Sequence, residues 1–302
     1  MQEHPRSASL GLNIPEGWRF AQIEGRPLFA TRAVVTRPDG TEIDWSTRRH
    51  RKGLAPTASD DRPVRRLRNL TRGATSSSRW LGGLFMTGSF CFALGSLPVF
   101  FSRVDAALVA WVFFVGSIFF TVASYLQFRE CLAAPGTIDP AAPRSRGFRS
   151  LVGWRSRSVG WWATAVQLAG TILFNISTFA ATRDDLALNQ ERNLIWAPDF
   201  WGSACFLIAS ALAYIEVCPR IWKRPRGDLG WHIAILNLAG SLAFALAAIA
   251  ARYLPTTSEP ANIALVNAGT FVGAVCFFVG AALLPVESAG SERAQKISSN
   301  LA

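Results

Sequence analysis

The chain has 302 residues, half of them hydrophobic and only 17% charged, with 11 Trp and 21 Phe. Its formal net charge is +11, yet nearly all of that charge sits in residues 1–79 and two short later segments. Six apolar runs separate the charged parts. Each is near the length needed to cross a hydrocarbon core of about 30 Å at 1.5 Å per residue, which argues against a water-soluble globule.

Residues 1–54 read as a small β-rich module. In VVTRPDGTEIDW (34–45), Pro-Asp-Gly lies between two extended runs, a hairpin turn signal. Glu42, Ile43, Asp44, Trp45 and Ser46 alternate as in a half-exposed strand. So short a unit has too small a core to stand alone and is expected to dock on the membrane domain. Arg48, Arg49, His50, Arg51 and Lys52, with Arg65, Arg66 and Arg68, either contact anionic lipid head groups or serve only to set topology. Residues 55–79 are a basic linker.

The apolar runs fall at 81–102, 106–127, 160–181, 200–217, 231–252 and 263–285. They predict an all-α polytopic membrane domain over 80–285, six transmembrane helices paired as hairpins 80–127, 160–217 and 231–285, and a tail over 286–302. Loop charge predicts the threading. Segments 1–79, 128–158 and 216–229 carry +7, +4 and +2, whereas 103–105 and 252–261 are neutral and 182–199 is −2. Basic residues stay on the cytoplasmic side, so both termini are expected there, in a cell membrane. The high pI follows from this and implies no nucleic acid. No cleavable leader pattern is seen at the amino terminus. The loop segment GFRSLVGWRSRS brings Phe148, Leu151, Val152 and Trp154 among basic residues, and either lies flat on the inner leaflet or is unstructured.

One nonapeptide recurs in every run: GSFCFALGS (88–96), GSIFFTVAS (116–124), GTILFNIST (170–178), GSACFLIAS (202–210), GSLAFALAA (240–248) and GAVCFFVGA (273–281). Gly88, Gly116, Gly170, Gly202, Gly240 and Gly273 are each followed four residues on by Phe. The intervals between these glycines are 28, 54, 32, 38 and 33, short within a hairpin and longer between hairpins. Lipid tails are as apolar as leucine, so helices associate through close backbone approach at small residues. Gly, Phe and a small residue share one helix stripe, and the Phe of one helix is expected to fill the notch of a neighbour.

Polar side chains also interrupt the runs. Gln167, Asn175, Asn237 and Asn267 either line a small polar site between the second and third hairpins or bridge helices by hydrogen bonds. Cys91, Cys131, Cys205, Cys218 and Cys276 form no CxxC pair and read as packing residues. With His4, His50 and His232 as the only histidines, no metal cluster or His-based triad is expected. Phosphate-loop and nucleophile-elbow motifs are missing, so neither enzyme activity nor a cofactor is expected.

The hairpin carrying GSFCFALGS and GSIFFTVAS, with its two counterparts, resembles the YrhK-like two-helix membrane domain. GTILFNISTFAA and GTFVGAVCFFVGAALL are similar to actinobacterial-type multipass membrane proteins of unknown role. The resemblance implies tandem helical hairpins and no specific activity. The expected function is that of a non-enzymatic structural, scaffold or partner-binding protein in the bilayer, the alternative being a small-solute transporter or channel.

Overall fold

A computed structural model describes residues 13–26, 29–54, 74–139, 142–145, 147, 151–218, 228–252 and 260–301. Beyond Ser291 the description is of the backbone. Arg65, Arg66, Arg68, Phe148 and most of the 55–79 linker lie outside these residues.

Three antiparallel strands, β1 (Arg19–Arg26), β2 (Phe29–Thr36) and β3 (Glu42–Ser46), form a sheet in that order. The Pro-Asp-Gly turn joins β2 to β3. Arg37 N–H donates to the Thr41 carbonyl at 2.9 Å, and Asp39 Oδ1 accepts from Thr41 N–H at 2.8 Å. The register sets Val35 opposite Ile43 and Ala33 opposite Trp45. Ala33, Val35 and Trp45 are buried together with Ile138, from the connection between the helices Ala106–Ala133 and Val159–Ala180. The sheet thus completes its core by docking on the helical domain.

A short helix, α1 (Thr47–Lys52), follows the sheet directly. Ser46 caps its start by accepting from Arg49 N–H, and Gly53 ends it at φ 67°, a left-handed conformation that suits glycine. Nothing in the composition of TRRHRK sets this element apart. Its docking partners fix it, as described below.

The helical domain comprises α2 (Ser76–Gly95), α3 (Pro98–Phe101), α4 (Ala106–Ala133), α5 (Val159–Ala180), α6 (Leu188–Glu191), α7 (Ala197–Val217), α8 (Leu229–Ala250) and α9 (Ile263–Leu301). Five helical segments are long and apolar enough to cross a membrane: Ala106–Ala133, Val159–Ala180, Leu188–Val217, Leu229–Ala250 and Ile263–Ser291. This is one fewer than the six apolar runs suggest. The first run is split by Pro98, which starts α3 after a break at Ser96 and Leu97, and α2 begins on a polar Ser-Ser-Ser-Arg turn. Nevertheless α2 packs on α4 and on α9, and the ring α2–α4–α5–α7–α8–α9 closes on itself.

Two boundaries differ from the sequence expectation. The fourth run is helical from Leu188, because α6 continues through a π-helical stretch, Arg192–Trp196, into α7. Pro198 has no N–H to donate four residues back, and the wider turn takes up the mismatch. Ser177 Oγ–H of α5 donates to the Ile195 carbonyl there at 2.8 Å. The sixth run does not stop at 285 either. Helix α9 continues through Pro285 to Leu301, burying Glu287, Ser288, Ala289 and Ser291 in what the sequence suggests is a tail.

Candidate functional site at the carboxylate-lined end of the bundle

Each notch glycine of the nonapeptides faces the other helix of its pair. A Cβ on Gly88 would lie 2.8 Å from Phe120, on Gly202 2.7 Å from Phe174 and on Gly273 2.6 Å from Phe244. On Gly116, Gly170 and Gly240 it would meet Cys91, Cys205 and Cys276 at 2.8, 2.9 and 3.1 Å. Glycine lets the two backbones touch, and the phenylalanines then turn towards the bundle axis. Phe92, Phe174 and Phe244 contact one another at 5.8–6.1 Å between centroids. Phe120, Phe206 and Phe277 do likewise at 5.9–6.4 Å. Three further contacts, Phe92–Phe120, Phe174–Phe206 and Phe244–Phe277, join the two triangles at 5.2–5.6 Å. The nine contacts are the edges of a trigonal prism. Eight of the nine are edge-on or tilted well away from parallel, the arrangement the ring quadrupole favours. A small void remains among these six rings and Ser117.

The four polar residues singled out above do not converge. Gln167 Nε2 donates to Ser124 Oγ at 3.3 Å, and Asn175 Nδ2 donates to Thr121 Oγ1 at 2.8 Å. Both partners are on α4, so these bonds join α5 to the first hairpin. Asn237 is on α8, where its Oδ1 lies against Gly280 of α9. Asn267 is on α9, half-buried. Between α7 and α8 the buried hydroxyls Ser210 Oγ and Ser241 Oγ meet at 2.7 Å.

Charge is gathered at one end of the bundle, where α1 sits. Arg51 reaches Glu216 of α7 with Nε at 3.0 Å and Nη2 at 2.9 Å, a forked pair. Arg48 reaches Glu287 of α9 with Nε at 2.9 Å and Nη2 at 3.2 Å, and Lys52 Nζ donates to the same carboxylate. All five side chains are at most 9% exposed. Arg48, Arg51 and Lys52 lie at i, i+3 and i+4, on one face of α1. On that face Arg48 and Arg51 point into protein, and Arg49 Nη2 donates to Ser291 Oγ at 3.0 Å.

A third carboxylate, Glu130 of α4, borders the same region. Its Oε1 accepts from Ser77 Oγ–H at 3.2 Å, and it shares a cleft with Lys52, Gln127, Ser78, Glu287 and Ser288. Glu130, Glu216 and Glu287 each follow a nonapeptide glycine (Gly116, Gly202, Gly273) by fourteen residues. That spacing was available in the sequence but hidden, because a carboxylate ending an apolar run looks like an ordinary interfacial charge. Small residues make room opposite. A Cβ on Gly160 would lie 2.8 Å from Arg51, and one on Gly230 3.1 Å from Arg48 Nε.

The surroundings tune these groups. Burial opposes the Arg51 charge, but the Glu216 carboxylate more than offsets this and holds it charged. Burial draws Lys52 down to about 8, helped by the Arg48 and Arg51 charges and opposed by Glu287. His50 hydrogen-bonds the Pro135 carbonyl at 3.2 Å and lies 5.5 Å from the Trp45 ring. Burial lowers its pKa, and the nearby Arg144 and Arg155 charges act the same way against the Pro135 bond. Arg144 Nη2 clamps the carbonyls of Arg51 and Glu130 at 2.8 and 2.9 Å, tying α1 to the end of α4. Three cations of α1 thus face three carboxylates of the bundle. The arrangement suits holding a helix in place; no group of three or more His, Cys, Asp or Glu able to bind a metal occurs among the described residues.

Comparison with models of known protein families, with functionally characterised proteins and with solved structures gives no match.

Proposed function

We propose that this multi-pass membrane protein has a structural or partner-presenting role rather than an enzymatic one. In this reading α2 crosses as well, giving six spans as three repeated hairpins of the YrhK-like kind, with both termini in the cytoplasm of a cell whose plasma membrane holds it. The bundle is a rigid base, and the sheet of residues 19–46 is the part displayed. One observation carries the reading: α1 is locked into the end of the bundle by buried ion pairs to Glu216 and Glu287, while phenyl rings fill the axis. A path along the axis would require those rings to part.

The alternative, a small-solute transporter using Gln167, Asn175, Asn237 and Asn267 between the second and third hairpins, is less well supported. Gln167 and Asn175 each direct an amide N–H to a hydroxyl of α4. Reconstitution into liposomes tests both readings. Flux of small ions and polar solutes through the wild-type protein should match protein-free vesicles. Flux that vanishes in a folded Gln167→Ala, Asn175→Ala variant would replace the scaffold reading with transport.

A further inference from the structure

The segment 151–158, between the carboxylate-lined end and α5, is a loop built unlike a loop. Its backbone is pinned from several sides. Trp161 Nε1–H donates to the Gly153 carbonyl at 3.0 Å, and Trp162 Nε1–H to the Ser156 carbonyl at 2.9 Å. Arg155 Nη2 donates to the carbonyls of Leu132 and Ala134 at 2.9 and 2.7 Å, capping the end of α4. Ser158 N–H donates to the Arg155 carbonyl, and Ser158 Oγ caps α5. The Trp154 ring packs on Trp161 at 4.6 Å and on Trp162 at 5.7 Å.

All this rigidity serves to hold apolar groups outward. Trp154 is 71% exposed and Val152 65% exposed, whereas Trp161, beneath them, is buried. Both indole N–H groups of the α5 tryptophans are spent on the loop, so neither is left to face water. Arg157, exposed, lies between the tip and the start of α5. Four residues, Arg155 to Ser158, separate the tip from the apolar span Val159–Ala180.

We propose that the Val152–Trp154 tip is an interfacial anchor. It inserts at the boundary between acyl chains and head groups of the leaflet on the α1 side, with Arg157 at the level of the lipid phosphates. Tryptophan favours this depth because its ring is apolar and its N–H polar. An apolar tip beside an exposed cation matches a surface that is oily below and anionic above. Anchoring here fixes the depth of the bundle end into which α1 is plugged. It does not depend on whether the bundle is a scaffold or a transporter.

Tryptophan fluorescence of the full chain in nanodiscs tests this. The difference signal between wild type and Trp154→Phe reports on Trp154 alone. Lipids brominated near the top of the acyl chain should quench it at least twofold, and aqueous iodide should leave it nearly unchanged. Because Trp154→Phe also removes an indole from the cluster, Val152→Cys labelled with bimane gives an independent reading, with labelled wild type subtracted for the native cysteines. Its emission should shift to the blue on moving from detergent to nanodiscs, more so with anionic lipid than with zwitterionic lipid, and that lipid difference should disappear in Arg157→Gln. Quenching by iodide in place of brominated lipid would put the tip in water and overturn the proposal. Protection from both quenchers would do so too, by showing a second protein surface over the tip.

Discussion

Arg51 and Glu216 lie 165 residues apart and meet through a forked pair of hydrogen bonds, with neither side chain more than 6% exposed. One belongs to a short helix of the amino-terminal module, the other to the end of a membrane helix. Removing either partner strands a buried charge. Arg51→Ala or Glu216→Gln should therefore destabilise the folded protein by about 3–5 kcal/mol, whereas exchanging the pair for two well-packed apolar residues should cost far less. Thermal unfolding in detergent, scored by loss of the monodisperse species, distinguishes the single variants from the apolar double variant. Equal losses in all three would show that the charges are not paired.

His50 sets a pH dependence with a definite sign. Its folded-state pKa lies below the ordinary 6.5, because it is buried and has Arg144 and Arg155 nearby. As pH falls below about 6.5 the unfolded chain takes up a proton before the folded one does, so stability falls with acidification and is fully present above that value. His50→Gln keeps a donor for the Pro135 carbonyl and should flatten the acid limb. A melting-temperature series from pH 8 to 5 on both proteins checks it, and an unchanged acid limb in the variant counts against His50 as its source.

The phenylalanine prism makes a graded packing prediction. Phe92 contacts Phe113, Phe120, Phe174 and Phe244, while Phe90, two residues away, is 58% exposed. Phe92→Ala leaves a cavity on the axis that rings from several helices line. In a bilayer the transfer part of the cost is largely absent, but the lost dispersion contacts are not, so about 2–3 kcal/mol is expected. Phe90→Ala, facing lipid, should change little. Detergent melting curves of the two alanine variants would show the contrast, and comparable effects would place both rings in the same surroundings.

Gly273 tests the notch. A Cβ there would sit 2.6 Å from Phe244 and 2.9 Å from the Gly240 carbonyl, and a backbone atom cannot swing aside as a side chain can. Gly273→Leu should cost about 3 kcal/mol, the upper end for overpacking. Ile208, 53% exposed, is the matched control for tolerance to leucine. Expression and monodispersity after detergent extraction report the difference, and a well-behaved Gly273→Leu protein would mean that the pair does not meet at these glycines.

How much of this was legible depends on how local each signal is. Ile43 and Trp45 alternate with Glu42 and Asp44, and the strand follows because a two-residue period needs no outside information. Gly and Phe four apart share a helix stripe for a similar reason, so a pattern in the chain becomes a face of a helix. The docking of α1 has no such signature. Arg48 meets Glu287 across 239 residues, and a run of basic residues reads equally well as lipid contact, topology signal or ion-pair donor until the partners are placed. Helix ends suffered likewise. Pro198 and Pro285 suggest boundaries, yet one is absorbed by a π turn and the other by a helix that continues past it. The polar amides were visible as residues, but which helix Gln167 would reach depended on the ring order α4–α5–α7, which no single window contains.

Threading remains the prediction on which the rest of the geometry turns. The basic excess of segments 1–79, 128–158 and 216–229 predicts that the ends of α4 and α7 that meet α1 lie on the cytoplasmic side. Gly136 follows α4, is exposed, and has open space where a Cβ would go, so Gly136→Cys is a benign probe of that side. Asp184, exposed in the connection between α5 and α6, probes the other side as Asp184→Cys. A membrane-impermeant maleimide applied to intact cells should label Asp184→Cys and leave Gly136→Cys unlabelled until the cells are broken. Labelling of both from outside would mean the hairpins do not alternate, and the reverse pattern would place α1 and its carboxylates outside the cell, where a basic helix has no topological reason to be.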